Sequence, residues 1–194
     1  MNDWDNLFEV IKCLNSQSYL PSEIIIVDSS SDNKIEESII NQLSEISIKY
    51  IRAGRAFTGD RILQKYFSFL IKNKKDPGRA YPYEATNMGV EIASSKWVAF
   101  LDTATIPSKD WLRLLMEEIN SKNLDLVLGS TIYLANTRFQ KLLRAGTYGS
   151  FGHETMPGSI IKTEIYNNNF KIREGVRAGG DIEWRQRVKS KFKW

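Results

Sequence analysis

The sequence predicts an α/β fold with a mostly parallel sheet flanked by helices. Two short apolar runs, Glu23–Val27 and Trp97–Leu101, are β-branched or aromatic and end at turn residues, which marks buried strands. Such runs alternate with longer segments of helical periodicity, the pattern of βα units. Both runs also stop on a carboxylate, Asp28 and Asp102, and open α/β sheets place their ligands at the carboxyl ends of strands.

Leu7, Val10, Ile11 and Leu14 recur at helical spacing, so the chain opens with an amphipathic helix over 6–16, and Pro21 ends that region. Glu23–Val27 is the strongest strand, with the character of a parallel strand covered on both faces. Ser29-Ser30-Ser31-Asp32-Asn33 follows Asp28 and leads into a helix expected over 35–43. Its hydroxyls and backbone N–H groups suit either an anion or a plain capped turn. A strand over 47–51 and a helix over 60–75 come next. Asp76-Pro77-Gly78 is a turn, and Arg79-Ala80-Tyr81-Pro82-Tyr83 a loop with one cation and two aromatic residues.

Residues 84–93 read as a helix whose small residues Ala85, Gly89 and Ala93 allow close approach to the sheet. Asn87 in its middle is a weak helix former and stands out. After the strand ending at Asp102, Pro107 breaks regular structure. Ser108 is then the expected N-cap of a helix carrying Trp111, Leu112, Leu114, Leu115 and Ile119. A strand over 124–134, a basic helix near 139–144 and a glycine-rich stretch over 145–153 follow. An apolar run over 158–165 comes next, then a glycine-rich loop entering a charged helix at 177–187. His153, the single histidine, falls in the glycine-rich stretch and has no partner legible in the sequence.

With 194 residues, 42% hydrophobic and 26% charged, the chain reads as one soluble globular domain. It divides into a nucleotide-binding half, about 1–123, and an acceptor and catalytic half, about 124–194. The net charge of +4 favours anionic partners, but the cations are scattered rather than striped, which argues against nucleic acid. The lone Cys13 forms no intrachain disulfide and reads as a core thiol in a reducing compartment. Neither a signal peptide nor a membrane span is visible, which points to the cytoplasm or the inner face of a membrane.

In order and spacing, four segments resemble the inverting, nucleotide-sugar-dependent family-2 glycosyltransferases of the GT-A fold. They are 14–32 (Leu14-Asn15-Ser16-Gln17 through Pro21 to Asp32), Ala85-Thr86-Asn87-Met88-Gly89, Phe100-Leu101-Asp102, and Gly179-Gly180-Asp181-Ile182-Glu183 with Arg187. The resemblance implies a donor-nucleotide site of Asp28, Ser30, Arg79, Asn87 and Asp102. Asp28 would contact the nucleobase, Asp102 would bind a divalent cation (Mg²⁺ or Mn²⁺) or the diphosphate, and Asp181 would be the catalytic base. Arg187 would pair with an acid, and Trp184 would either stack on an acceptor sugar or pack in the core. The implied partners are a nucleotide-sugar donor and a glycan or lipid-linked acceptor of the cell envelope, with peripheral membrane association left open.

Three departures qualify the match. Ala104 replaces the second acid of the metal-binding pair, so Asp102 stands alone and a cation such as Arg79 is an alternative to the metal. Gly180 stands where the family carries Glu before the base. Only Met1-Asn2-Asp3-Trp4-Asp5 precedes the first helix, so the family's first strand is expected to be missing. The rival reading is therefore a catalytically inactive or truncated GT-A module that binds nucleotide or a protein partner. A nucleotidyltransferase fits less well, because no glycine- and lysine-rich phosphate loop follows the first strand.

Overall fold

The computed structural model describes residues 3–29, 43–53, 82–176 and 178–194. The expected helices over 35–43 and 60–75 lie wholly or almost wholly outside these residues, and Ser30 and Arg79 lie outside them too. Helix α1 (Asp3–Asn15) leads into β1 (Glu23–Asp28), which pairs in parallel with β2 (Ser47–Arg52) from Glu23↔Ser47 to Asp28↔Arg52. Residues Ile24 and Ile26 of β1 pack on Val10, Ile11 and Leu14 of α1. The opposite face meets α2 (Pro82–Glu91), where a Cβ on Gly89 would lie 3.1 Å from Val27 Cγ2. The strand is thus covered by a helix on each face, as its β-branched composition predicts, and the small residue at 89 lets α2 approach.

The second sheet has the order β3-β5-β4, formed by β3 (Trp97–Ala99), β4 (Leu126–Thr131) and β5 (His153–Lys162). Strand β5 runs antiparallel to both neighbours, so β3 and β4 are parallel to each other across it. This adds an antiparallel strand to the parallel arrangement that the βα alternation suggests. Among the described residues no strand pairs with the outer edge of β1 or of β3.

Ladder β4–β5 is irregular between Val127 and Gly129, and there the strands come very close. A Cβ on Gly129 would lie 2.3 Å from the carbonyl of Gly158, so only glycine fits. The buried Ser159 hydroxyl accepts from the Gly129 N–H at 2.8 Å and donates to the Thr155 carbonyl at 2.6 Å, satisfying the disrupted ladder. His153 is the first residue of β5 rather than part of a loop.

Helix α3 (Trp111–Lys122) covers β4 and β5 through Leu115, Ile119, Leu124 and Ile160. Its N-cap position is Asp110, not Ser108, and no side chain caps it. Past Pro107 the chain makes one tight turn first, with Trp111 N–H donating to the Ser108 carbonyl at 3.1 Å. Helix α4 (Arg138–Thr147) buries none of its residues, while the short α5 (Thr163–Asn167) and α6 (Gly180–Lys189) pack against the main core. Cys13 is only half-buried and free, so the expectation of a core thiol gives way to a rim position on α1.

The largest core cluster joins Val90, Phe100, Leu126, Met156, Ile161, Tyr166, Ile172, Trp184 and Val188. Asn87, 2% exposed, sits against it and uses both ends of its amide. Its Nδ2 donates to the Ile172 carbonyl at 2.9 Å and to Glu174 Oε1 at 3.0 Å. Its Oδ1 accepts from Tyr166 Oη at 2.6 Å and from Ile172 N–H at 3.2 Å. The weak helix former is retained because it ties α2 to the segment between α5 and α6. Burial pushes the Tyr166 phenol well above its ordinary pKa, so it stays a neutral donor to Asn87.

Two stability tests follow. Asn87→Ala strands a buried phenol and a buried N–H, and is expected to lower unfolding free energy by about 1–3 kcal/mol in urea titration. An unchanged midpoint would mean that the network contributes nothing. The second concerns Glu23, which bridges β1 to β2 and to the turn before β3. Burial opposes its charge, but Lys49 Nζ at 2.6 Å and the Ser94 N–H at 2.8 Å dominate and hold its pKa down to about 2. A folded-state pKa below the unfolded value of 4.5 stabilises the fold above pH 4.5, and that contribution is lost as pH falls toward 2. Glu23→Gln should therefore show a shallower loss of melting temperature across this window than the parent chain, and identical slopes would refute the linkage.

Candidate active site

A cleft of about 870 Å³ opens between β1 and β3. Its apolar wall is made by residues of both strands and of α1. Its polar end is lined by Ser29, Asp102, Thr103, Tyr83 and Asp181. The fold thus brings Asp102 and Asp181 to one cleft from positions about eighty residues apart in the chain.

Asp102 is placed by the end of β3. Beyond Ala99 the pairing runs one residue further, with Phe100 N–H donating to Ser159 at 2.9 Å and Phe100 C=O accepting from Gly158 at 2.7 Å. The chain then turns, and Asp102 Oδ1 accepts from Ala104 N–H at 3.0 Å and from Thr105 Oγ1 at 2.6 Å. One carboxylate oxygen fixes the loop, and Oδ2 has no partner among the described residues. The capping reading of this residue is thus met by Oδ1 alone, and it leaves Oδ2 available to a ligand.

Asp181 lies in the first turn of α6, after Gly179 in the left-handed conformation (φ +81°). Tyr83 Oη donates to Asp181 Oδ1 at 2.9 Å, and Arg185 Nη2 stands 3.8 Å from Oδ2. Burial, followed by its bond to Asp181, raises the pKa of the Tyr83 phenol, so it remains a donor. A Cβ on Gly180 would come within 2.7 Å of the Tyr83 ring. The glycine found where the related family carries Glu is the residue that lets this phenol reach Asp181.

Trp184 is fully buried and donates Nε1–H to the Phe170 carbonyl at 2.7 Å, which settles it as a core residue rather than a stacking platform. Arg187 pairs with Glu183 at 2.8 Å and donates to the Lys171 carbonyl, a structural role on the outer side of α6. Asn87 does not line the cleft; its amide is committed to the core. Asp28 is buried, accepts from Tyr50 Oη at 2.7 Å, and is likewise outside the cleft lining.

Sequence reasoning missed three aromatic residues. Tyr83 was legible only as part of a loop. Tyr133 and Tyr148 stack with ring centroids 3.9 Å apart, and His153 Nε2 bonds the Tyr148 carbonyl. Burial, followed by Tyr148, raises the pKa of Tyr133. The stack is joined to Asp181 through the start of β5, where Glu154, next to His153, gives its carbonyl to Arg185. Residues this far apart in sequence carry no shared periodic signal. His153 is used in this stack, and no cluster of three or more potential metal-binding side chains occurs among the described residues.

For a divalent cation the donor set is one free carboxylate oxygen, Asp102 Oδ2. Mg²⁺ and Mn²⁺ accept such a site when water and diphosphate oxygens complete the shell.

Comparison with known proteins identifies the fold and the family. AglE, a glycosyltransferase of Haloferax volcanii, is 26% identical over 201 residues, covering 96% of this chain and 58% of AglE. The S. aureus TarS 1–349 structure in complex with UDP superposes with a TM-score of 0.62 at 14% identity, covering 94% of this chain and 51% of that one. TarS 1–349 in complex with UDP-GlcNAc gives 0.62 at 13% identity, covering 94% and 49%. The chain thus spans a little over half of AglE and about half of TarS 1–349. At such identity the structural likeness establishes a common fold. The family model described as glycosyl transferase family 2 matches residues 1–181, from the first residue to the acid at the cleft, and the chain belongs to that family.

Proposed function

We propose that the chain moves a sugar from a nucleoside diphosphate sugar to a hydroxyl of a glycan or lipid-linked acceptor, with inversion at the anomeric carbon. The observation that carries this reading is the convergence of Asp102 and Asp181 on one cleft, with a phenol aimed at Asp181. UDP is the first nucleotide to test, because TarS was crystallised with UDP and with UDP-GlcNAc.

In this reading the acceptor oxygen attacks the anomeric carbon as the bond from that carbon to the diphosphate oxygen breaks. The acceptor proton passes to Asp181, and the nucleoside diphosphate leaves. Tyr83 and Arg185 hold the Asp181 carboxylate toward the cleft. Tyr83 donates to one oxygen, so the other faces the acceptor and Arg185. The apolar strand walls exclude water from the donor side. Asp102 would hold a divalent cation through Oδ2, and such an ion, when bound, offsets the charge that develops on the leaving diphosphate. Ser30 and Arg79, outside the described residues, would be further donor contacts by the family resemblance. Asp28, buried on Tyr50 and away from the cleft lining, would act by holding the end of β1.

Asp181→Asn is expected to lower kcat by about 10²–10⁴-fold while nucleotide affinity stays within about twofold, as measured by product formation and calorimetry. Unchanged turnover would remove Asp181 from the base role. UDP with Mn²⁺ should raise the melting temperature of the parent chain, and Asp102→Asn should abolish the Mn²⁺-dependent part of the shift. Binding of UDP with no transfer to any hydroxyl acceptor, and no donor hydrolysis, would instead identify the inactive module.

A further inference from the structure

We propose that α4 and its flanks form a membrane-docking face that seats on anionic lipid headgroups beside the acidic end of the cleft. Phe139, Leu142, Leu143 and Gly146 recur at positions i, i+3, i+4 and i+7, so they make one stripe of the helix. Phe139 and Leu142 are each 73% exposed and Leu143 56%, an uncommon state for large apolar side chains at core-like spacing. The helix does not depend on a packed neighbour for its start. Thr137 and Gln140 form a reciprocal capping box, with Gln140 N–H donating to Thr137 Oγ1 and Thr137 N–H donating to Gln140 Oε1. Leu134 before the helix and Phe151 after it are 79% and 81% exposed.

Charge identifies the occupant. From Leu126 to His153 the chain carries no acid, and its charged residues are Arg138, Lys141 and Arg144, all on α4. An apolar stripe bordered by cations alone matches the interface of an anionic leaflet, where the stripe enters the acyl boundary and the cations meet phosphate. No helix among the described residues is long and apolar enough to cross a membrane, so the contact is peripheral.

The face is tied to the site. Arg144 Nη1 donates to the Tyr133 carbonyl at 2.9 Å, and Tyr133 stacks on Tyr148. The Tyr148 carbonyl bonds His153, whose neighbour Glu154 accepts at its carbonyl from Arg185, which stands 3.8 Å from Asp181. A lipid-linked acceptor in the bound leaflet would present its hydroxyl at the Asp181 end. The inference rests on the proposed transferase reading only for this purpose; the binding itself is independent of catalysis.

The test is co-sedimentation of the full chain with phosphatidylcholine vesicles, with and without phosphatidylglycerol. Binding is expected only with phosphatidylglycerol, and it should weaken as salt is raised. Arg138→Gln and Lys141→Gln should each weaken it about fivefold. Phe139→Asp with Leu142→Asp should abolish it, with melting temperature and UDP response unchanged because these side chains are exposed. Equal binding to both vesicle types, or wild-type binding by the Asp variant, would overturn the proposal. So would a dimer in light scattering that the Asp variant dissociates, since a second copy would then be the occupant. A chain that binds vesicles yet shows no UDP response would keep this inference and remove the transferase reading.

Discussion

The site depends on an aromatic cluster directly behind it. Phe100 meets Trp184 edge-on at 5.9 Å and Tyr166 at 5.6 Å, and Tyr166 lies 6.0 Å from Trp184. Phe100 is two residues before Asp102, and Trp184 three residues after Asp181. The packing that joins β3 to α6 therefore sets the separation of the two carboxylates. Aromatic pairs of this kind add about 0.5–1.5 kcal/mol each beyond the area they bury. Their larger consequence here is positional, because each acid lies two or three residues along the chain from a ring held in this cluster. The Trp184 indole is further pinned through Phe170, so α6 enters the core in one register.

Asn87 extends the same constraint to α2. By holding Tyr166 and Ile172 it fixes one ring of the cluster and the chain leading toward Asp181. Tyr83, one turn earlier on α2, then reaches the Asp181 carboxylate. A polar group so placed acts on the site through the core, without touching the cleft. Its position in a helix otherwise built for close packing follows from the need for a donor and acceptor pair at that depth, where an apolar residue would leave a phenol and two backbone groups unsatisfied.

Much of this was legible in the sequence, for reasons that can be stated residue by residue. Glu23–Val27 and Trp97–Leu101 reveal their strands because burial on a sheet demands β-branched and aromatic side chains. Of the acids that end those strands, Asp102 lines the cleft and Asp28 is buried against Tyr50. Ala85 and Gly89 announce close approach of α2, and Gly89 meets Val27 as expected. The antiparallel β5 was less legible, since an apolar run gives no direction and the Gly129–Gly158 contact that fixes its register is non-local. The Ser108 cap failed because Pro107 forces a turn before the helix can begin. Asn87 was noticed as an anomaly, but its partners come from α5 and beyond, so only the fold reveals what it binds. The aromatic stack of Tyr133, Tyr148 and His153 was illegible for the same reason.

Two of the three departures from the family pattern are linked to specific contacts. At position 104 the backbone N–H, not a side chain, serves Asp102, and the small residue leaves the loop tight around Oδ1. At position 180 the absent side chain makes room for the Tyr83 ring, whose hydroxyl donates to Asp181. The site therefore carries fewer carboxylates than the pattern leads one to expect, and each one present has a dedicated neutral donor: Thr105 for Asp102, Tyr83 for Asp181. Removing like charges from a shared cleft lowers their mutual repulsion, and neutral donors fix orientation without adding charge. Such a site has less intrinsic attraction for a dication than one with two paired acids and keeps a well-oriented carboxylate at Asp181. Ala104 and Gly180 thus leave Asp102 and Asp181 with neutral hydrogen-bond donors in place of further acids, at chain positions that the aromatic core holds.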